Sequence, residues 1–419
     1  MQAADASATQ SAYFAQLDGV AYRLKLNPPD RLANSFHEVL SARLLNDIGL
    51  RFNPASAWVV DKSALWVASQ VIPGALDVGP YVMAAAAEQI RKPGLVTAMI
   101  TMEMTHYKAL ERGAAALRAS DKIRPLLEQF PKGGFDSLSP ADHQALQPLR
   151  DASRQMLQAQ ERIMDLLPQG PALRSNLLMA SYAGEVVAEW DFLNHNRFNT
   201  MVHEQAGRIR VQTVDRGVSG LVGFGGGLKR DGAHQANQPA RISDPYASTE
   251  GAGAPYLPAH FSPRDMDFAT PSASVGLIGD VPRSASSAFI FRDVIPNERE
   301  NLQADTGPGP RQLVVSPAGL PTEAMQVAWL LKHNAKPHQI RDSVAAVFEE
   351  CRKSPVTRAM LQPSVTGAQD ADALAAVYSK RIANIVERAE QGDALNRWAN
   401  THRSEARSIL LDKQLTGPL

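Results

Sequence analysis

Short runs of alternating apolar and polar residues open the chain, a pattern typical of strands with one buried face. Two of these runs, residues 12–16 and 20–26, flank the dipeptide Asp18-Gly19. Asp-Gly favours a two-residue turn because both positions tolerate the positive φ angles that this turn requires. We therefore predict a β-hairpin near the start of the chain.

A helix and a second hairpin are predicted next. Ser35 and Glu38 have the spacing of a capping box, in which two side chains bond the free amide groups of a helix start. The helix is predicted to end at Gly49, because glycine closes many helices. Two apolar runs, residues 57–60 and 65–69, indicate the second pair of strands.

The rest of the chain has helical spacing apart from one long stretch. From about residue 81 to 190, apolar residues recur three and four positions apart, which indicates amphipathic helices. Residues 223–321 are dense in Gly, Pro, Ser and Asp, which predicts a long loop-rich insert. We therefore divide the chain into four parts: a β-rich unit with one helix (1–75), a helical part (76–222), the insert (223–321) and C-terminal helices (322–419).

Composition limits the expected partners and compartment. The chain has 43 Lys and Arg against 43 Asp and Glu, which gives no support for a nucleic-acid partner. No apolar run reaches the roughly 18–20 residues of a membrane span, and Met1 to Ser11 lack the features of a secretory signal. The single Cys351 fits a reducing compartment. We expect a cytoplasmic protein. The small polar start is typical of an ordinary frayed terminus, and it is also compatible with delivery into a host cell by a type III-like route.

Lys25 and Glu38 are the first candidates for chemistry. Lys25 lies in the second predicted strand among apolar neighbours, where an inward-facing ammonium group is costly unless it is paired. Glu38 lies in the following helix, where it is available as the partner. The alternatives are an edge-strand lysine that faces water and a first-turn acid that stabilises the helix start. A lysine held by an acid is one of the parts that phosphoryl transfer from ATP requires.

Asp191, Asn196 and Asp215 supply the other parts. Asp191 and Asn196 have the separation of the Asp and Asn in the kinase catalytic loop, where the Asp orients the substrate hydroxyl and the Asn ligates magnesium. Asp215 follows the alternating run 209–214, which delivers it to the end of a strand. A carboxylate there is suited to hold magnesium across the β- and γ-phosphates. Both patterns also arise by chance in unrelated proteins.

Together these motifs resemble the atypical protein kinase-like superfamily, which includes phosphatidylinositol-kinase-like, bacterial persistence-toxin-like and bacterial effector kinases. The resemblance covers roughly residues 10–225 as motifs. It implies ATP and magnesium in a cleft between a small β-rich lobe and a larger helical lobe. It also implies that backbone groups of Ser69, Gln70 and Val71, at the end of the last small-lobe strand, bind adenine.

The chain departs from the family at the catalytic loop. The family has Asn-x-Asp-Arg followed by a second Asn, whereas this chain has Asn194-His195-Asn196-Arg197 followed by Asn199. In one alignment Asp191 is the catalytic residue and Asn196 the metal ligand. In the other, Asn196 replaces the catalytic Asp and Asn199 is the ligand. An amide does not accept a proton as a carboxylate does, so the second alignment implies an impaired enzyme or a pseudokinase.

The sequence thus predicts an α+β protein with a two-lobed protein kinase-like fold, in which the N-lobe is small and β-rich and the C-lobe is large and mostly helical. The predicted function is that of an ATP- and magnesium-dependent phosphotransferase acting on protein Ser or Thr hydroxyls, with a bacterial effector role as one option. The alternatives are a pseudokinase or scaffold that acts through protein partners, a kinase-fold enzyme that transfers AMP, and a helical interaction protein whose motifs are coincidental.

Overall fold

The computed structural model describes residues 2–3, 12–26, 32–126, 139–187, 200–205, 207–214, 219 and 322–415. Within them the chain is an α+β protein in which two small antiparallel sheets adjoin a mostly helical part. The strands are β1 (Gln2–Ala3), β2 (Ala12–Leu17), β3 (Val20–Leu26), β4 (Ser56–Asp61), β5 (Ala64–Gln70), β6 (Leu76–Asp77), β7 (Thr200–Gln205) and β8 (Arg208–Thr213). The helices are α1 (Leu32–Asp47), α2 (Val78–Gln89), α3 (Leu95–Ala119), α4 (Pro140–Leu166), α5 (Gly170–Val186), α6 (Thr322–Asn334), α7 (Pro337–Arg352), α8 (Pro355–Arg358), α9 (Pro363–Thr366), α10 (Ala371–Glu390), α11 (Ala394–Thr401) and α12 (Arg403–Asp412).

The larger sheet has the strand order β1-β2-β3-β5-β4. Both predicted hairpins are confirmed, β2–β3 and β4–β5. The first turns at Asp18 and Gly19, whose φ angles are 50° and 78°. Positive values at both central residues are those of a type I′ turn, which matches the twist of the flanking strands. β3 then pairs with β5, so β3 lies inside the sheet rather than at its edge.

Helix α1 begins at Leu32, about one turn earlier than the capping-box spacing predicts. Ser35 lies inside the helix, so the prediction that it caps the helix start is wrong. Its backbone carbonyl accepts a hydrogen bond from the indole N–H of Trp58 at 3.0 Å. Tertiary packing outweighs the local capping signal, because the extra turn buries Ala33 in the core.

The smaller sheet has the order β6-β7-β8. Strand β8 confirms the strand predicted from the alternating run at residues 209–214, and it pairs with β7 in a hairpin. β6 follows the segment after β5 and pairs with the start of β7, with Asp77 opposite Met201. This pairing joins the end of the larger sheet to the hairpin of the smaller one.

Proline and glycine residues interrupt the helical part. The chain turns at Pro93-Gly94 between α2 and α3, and at residues 167–169 between α4 and α5. α3 and α4 pack along each other, and a small separate core of Ala114, Ile123, Leu146 and Leu149 lies between them. No helix among the described residues is both long and apolar enough to cross a membrane.

One continuous apolar core joins the other elements. It contains residues of α1, of α5, of β8 and of the C-terminal helices, for example Phe36, Leu177, Val211 and Val344. The C-terminal helices therefore pack against the helix of the β-rich unit as well as against the central helices. The predicted insert, residues 223–321, lies outside the described part of the chain.

Candidate functional site

Lys25 and Glu38 form a buried ion pair. Lys25 Nζ lies 3.2 Å from Glu38 Oε2, and the two side chains are 8% and 5% exposed. β3 is an inner strand and Glu38 lies beyond the first turn of α1. Both alternatives considered from the sequence, a water-facing edge lysine and a first-turn acid, are therefore wrong, and the predicted pairing is confirmed.

Helix α1 packs against both the larger sheet and α7, and this packing fixes the position of Glu38. On the sheet side, the ring of Phe36 stacks on Trp58 with centroids 6.3 Å apart. The same ring meets Phe348 of α7 edge to face at 5.6 Å. Arg43 of α1 also forms an ion pair with Glu350 of α7 at 3.3 Å. The carboxylate of Glu38 is thus presented to Lys25 by a packed helix.

The end of β8 is hydrogen-bonded to the segment that follows α1. The backbone N–H of Thr213 donates to the carbonyl of Phe52 at 2.7 Å, and its hydroxyl donates to the same oxygen at 3.2 Å. The side-chain amide of Asn53 donates to the carbonyl of Thr213 at 3.2 Å. These three bonds fix where the chain leaves β8, two residues before Asp215.

Ser219 docks on α1 close to Glu38. Its hydroxyl oxygen lies 2.6 Å from that of Ser41, and it donates to the carbonyl of His37 at 3.3 Å. Both serines are fully buried. Residues three positions apart are neighbours on a helix surface, so Ser41 adjoins Glu38. The chain on both sides of residues 215–218 is therefore anchored to α1 or to the segment that follows it.

The other predicted chemistry falls outside the described residues. Asp191, Asn196 and Asn199 lie in residues 188–199, and Asp215 lies in residues 215–218, and neither stretch is described. Their roles as catalytic residue and magnesium ligands stay predictions. Among the residues that are described, no group of three His, Cys, Asp or Glu side chains is arranged to hold a metal ion.

In the predicted adenine-binding segment, the backbone amide groups of Gln70 and Val71 already donate hydrogen bonds to other parts of the chain. The backbone N–H of Gln70 donates to the carbonyl of Ala55 at 3.0 Å, and that of Val71 donates to the carbonyl of Ala21 at 2.8 Å. Ser69 lies in β5 opposite Arg23. A base bound here would need other groups as donors, or would have to displace one of these bonds.

Arg23 and Asp77 belong to the same region, although motif reasoning did not single them out. Burial raises the pKa of Asp77 to about 6, and the positive charge of Arg23 acts in the opposite direction. Asp77 is the N-cap residue of α2, yet its side chain makes no capping hydrogen bond. An Asp before a helical run is a common sequence signal for a cap, so the sequence offered a structural role for Asp77 and nothing more.

A separate groove of about 260 Å³ lies between α2, the α4–α5 turn and β7. The Tyr81 hydroxyl lies there, 3.0 Å from Gln169 Oε1 and 3.0 Å from Glu204 Oε1. Burial and then the hydrogen bond to Glu204 raise the pKa of Tyr81. Two carboxylates, Glu88 and Glu204, and one ammonium group, Lys92, line the groove. The excess of negative charge disfavours a phosphate-bearing ligand there, so the Lys25 region is the better candidate site.

Comparisons of the chain with known protein families, with curated proteins and with solved structures found no match.

Proposed function

We propose that the protein is an ATP- and magnesium-dependent phosphotransferase with a two-lobed protein kinase-like fold, and that it transfers phosphate to a protein hydroxyl. The observation that carries the proposal is the buried ion pair between Lys25 of β3 and Glu38 of α1. In kinases a strand lysine paired with a helix glutamate holds the phosphates of ATP.

A purely structural role explains this pair less well. Taking two charges out of water costs several kcal/mol, and apolar residues of similar volume are often as stabilising or more so. A buried ion pair is therefore weak support for a stability role. It is well suited to a site that must present an oriented ammonium group to an anionic ligand.

The order of the surrounding elements supports the same proposal. The hairpin β7–β8 separates residues 188–199, which contain Asp191 and Asn196, from Asp215. Asp215 follows Thr213 by two residues, which span at most about 7 Å of chain. Because Thr213 is bonded to Phe52 and Ser219 is bonded to α1, the proposed metal-binding segment begins and ends close to the helix of Glu38.

In this proposal each residue has one task. Lys25 binds the α- and β-phosphates, and Glu38 orients Lys25. Asp215 and Asn196 ligate magnesium, which neutralises charge that develops on the phosphates. Asp191 orients the acceptor hydroxyl and takes its proton.

The test uses ATP labelled separately at the γ- and the α-phosphate, with host or bacterial protein extracts as acceptors. We expect γ-label on an acceptor protein or on the chain itself, and loss of that label in Asp215→Ala and Asp191→Ala. Asp121→Ala is the matched control because the Asp121 side chain is 98% exposed. Transfer that persists in Asp215→Ala contradicts the proposal, and label from the α-phosphate identifies AMP transfer instead.

The two alignments of the catalytic loop are separated by Asn196→Asp. If Asp191 is the catalytic residue, Asn196→Asp does not raise the transfer rate. A rate that rises in Asn196→Asp, with no effect of Asp191→Ala, places position 196 at the acceptor and makes the natural chain an impaired enzyme. Nucleotide binding without any transfer supports the pseudokinase alternative.

A further inference from the structure

Arg23 lies on the same face of the larger sheet as Lys25. Side chains two positions apart on a strand point to the same side, and their Cα atoms are about 7 Å apart. The neighbours of Arg23 and Lys25 across the β3–β5 pair are Ser69 and Val67. Arg23 is therefore placed between the segment that follows β5 and the Lys25–Glu38 pair.

The guanidinium group of Arg23 is only partly solvated and lacks a close partner among the described residues. The residue is half-buried, and its side chain makes no hydrogen bond or ion pair with any of them. Asp77 acts on it electrostatically from a longer distance. Burying part of a charged group costs free energy unless that charge is compensated, so a free guanidinium at this position is suited to an incoming anion.

Two backbone amide groups near Arg23 are not free to bind a nucleotide base. The amide groups of Gln70 and Val71 already donate to carbonyls of the chain. Arg23 and Lys25 instead give the site two cations on one face, and guanidinium groups form paired hydrogen bonds with phosphate oxygens. The described groups thus favour recognition of the polyphosphate over recognition of the base.

We propose that Arg23 is a second anion-binding residue of the Lys25 site and that it contacts the phosphates of the bound nucleotide. The identity of the ligand as a nucleotide rests on the proposed function, whereas the anion site itself does not. A consequence is weak selection among bases, so ATP and GTP bind with similar affinity.

The test measures binding of Mg-ATP, Mg-GTP, sodium tripolyphosphate and adenosine by titration calorimetry. We expect Arg23→Gln to weaken ATP and tripolyphosphate binding by about 10- to 100-fold, the range for loss of one charged hydrogen bond. Arg23→Lys retains part of the affinity, because the charge stays and the paired geometry is lost. Asp77→Asn strengthens tripolyphosphate binding, because a negative charge beside Arg23 is removed.

Arg91→Gln is the matched control, since Arg91 is exposed at the end of α2 and far along the chain from β3. It is expected to bind all four ligands as the natural protein does, and melting curves verify that each variant is folded.

If folded Arg23→Gln binds tripolyphosphate as tightly as the natural protein does, the inference about Arg23 is wrong and the proposed function is unaffected. A loss confined to adenosine also overturns the inference, because it assigns Arg23 to the base. If the natural protein does not bind tripolyphosphate, the proposal of an anion site is wrong. Tripolyphosphate binding without any phosphate transfer refutes the proposed function and leaves the anion site standing.

Discussion

Replacing Lys25 by methionine is expected to destabilise the protein by about 3–5 kcal/mol, the usual cost of leaving one charge of a buried pair without its partner. Methionine is close to lysine in length and keeps most of the packing of the aliphatic stem. The loss therefore arises from Glu38, which stays buried at 5% exposure and loses its ion pair with Lys25.

The structure sets the scale of the effect. At the separation of 3.2 Å, two unit charges in an effective dielectric of about 20 attract by about 5 kcal/mol. Desolvation of the two groups offsets most of this attraction in the natural protein. Removing Lys25 abolishes the attraction but leaves the desolvation of Glu38, so the single variant loses most of that amount.

The double variant Lys25→Met with Glu38→Leu provides the decisive comparison. With both charges replaced by apolar groups, stability is expected to return to within about 1 kcal/mol of the natural protein, or to exceed it. Nucleotide binding is expected to be lost in the double variant as well as in both single variants. Stability that recovers while binding does not would show that the pair serves the ligand rather than the fold.

The assay is urea unfolding followed by circular dichroism, because urea is uncharged and does not screen ion pairs. Lys108→Met is the control, since Lys108 is exposed on α3. A loss below about 1 kcal/mol in Lys25→Met, or a double variant no more stable than the single ones, would refute this reasoning.

The other predictions concern pH, buried hydroxyls and packing. Because folding raises the pKa of Asp77 from 3.8 to about 6, the protonated form stabilises the folded state below about pH 4, and this contribution is lost as the pH rises through 6. At pH 8, Asp77→Asn should therefore be more stable than the natural protein by about 1 kcal/mol, a value reduced for the partial solvent access of Asp77. At pH 4 the two proteins should be equally stable. Thermal melting at the two pH values checks both expectations. Ser219→Ala removes the hydrogen bond between the buried hydroxyls of Ser219 and Ser41 and should cost about 0.5–1.5 kcal/mol, because Ser41 keeps its interaction with the side chain of Tyr378. The double change to alanine should cost less than the sum of the single changes, which a double-mutant cycle measures. Phe36→Ala removes a fully buried ring that contacts Trp58 and Phe348. The free energy of unfolding in urea should fall by about 3–5 kcal/mol. A fall of less than about 1 kcal/mol contradicts the packing of α1 described above.

Local signals predicted the local elements well. Asp18-Gly19 specifies its turn through backbone preferences that need no distant partner, and both residues take the positive φ angles expected. The alternation that begins at residue 209 also acts within a few residues, and the strand β8 appears where it was predicted. The prediction that Ser35 caps α1 failed because the helix starts one turn earlier, where its first turn places Ala33 in the core.

The candidate site was predicted only in part. Chain order and residue type were enough to name Lys25 and Glu38, since a lysine within an apolar strand needs a partner and the next helix carries an acid. Their burial and their distance of 3.2 Å come from the packing of α1 between the sheet and α7.

What the sequence by itself determined is therefore the two N-terminal hairpins, the strand before Asp215, the helical regions and the pairing candidates, because these depend on residues near one another in the chain. Tertiary structure alone decided that Lys25 is buried against Glu38, that Asp77 lies near enough to Arg23 for their charges to interact, and that Ser219 is hydrogen-bonded to Ser41. Those relations join residues that are distant in sequence, and they arise from a shared core to which the β-rich unit, the central helices and the C-terminal helices all contribute.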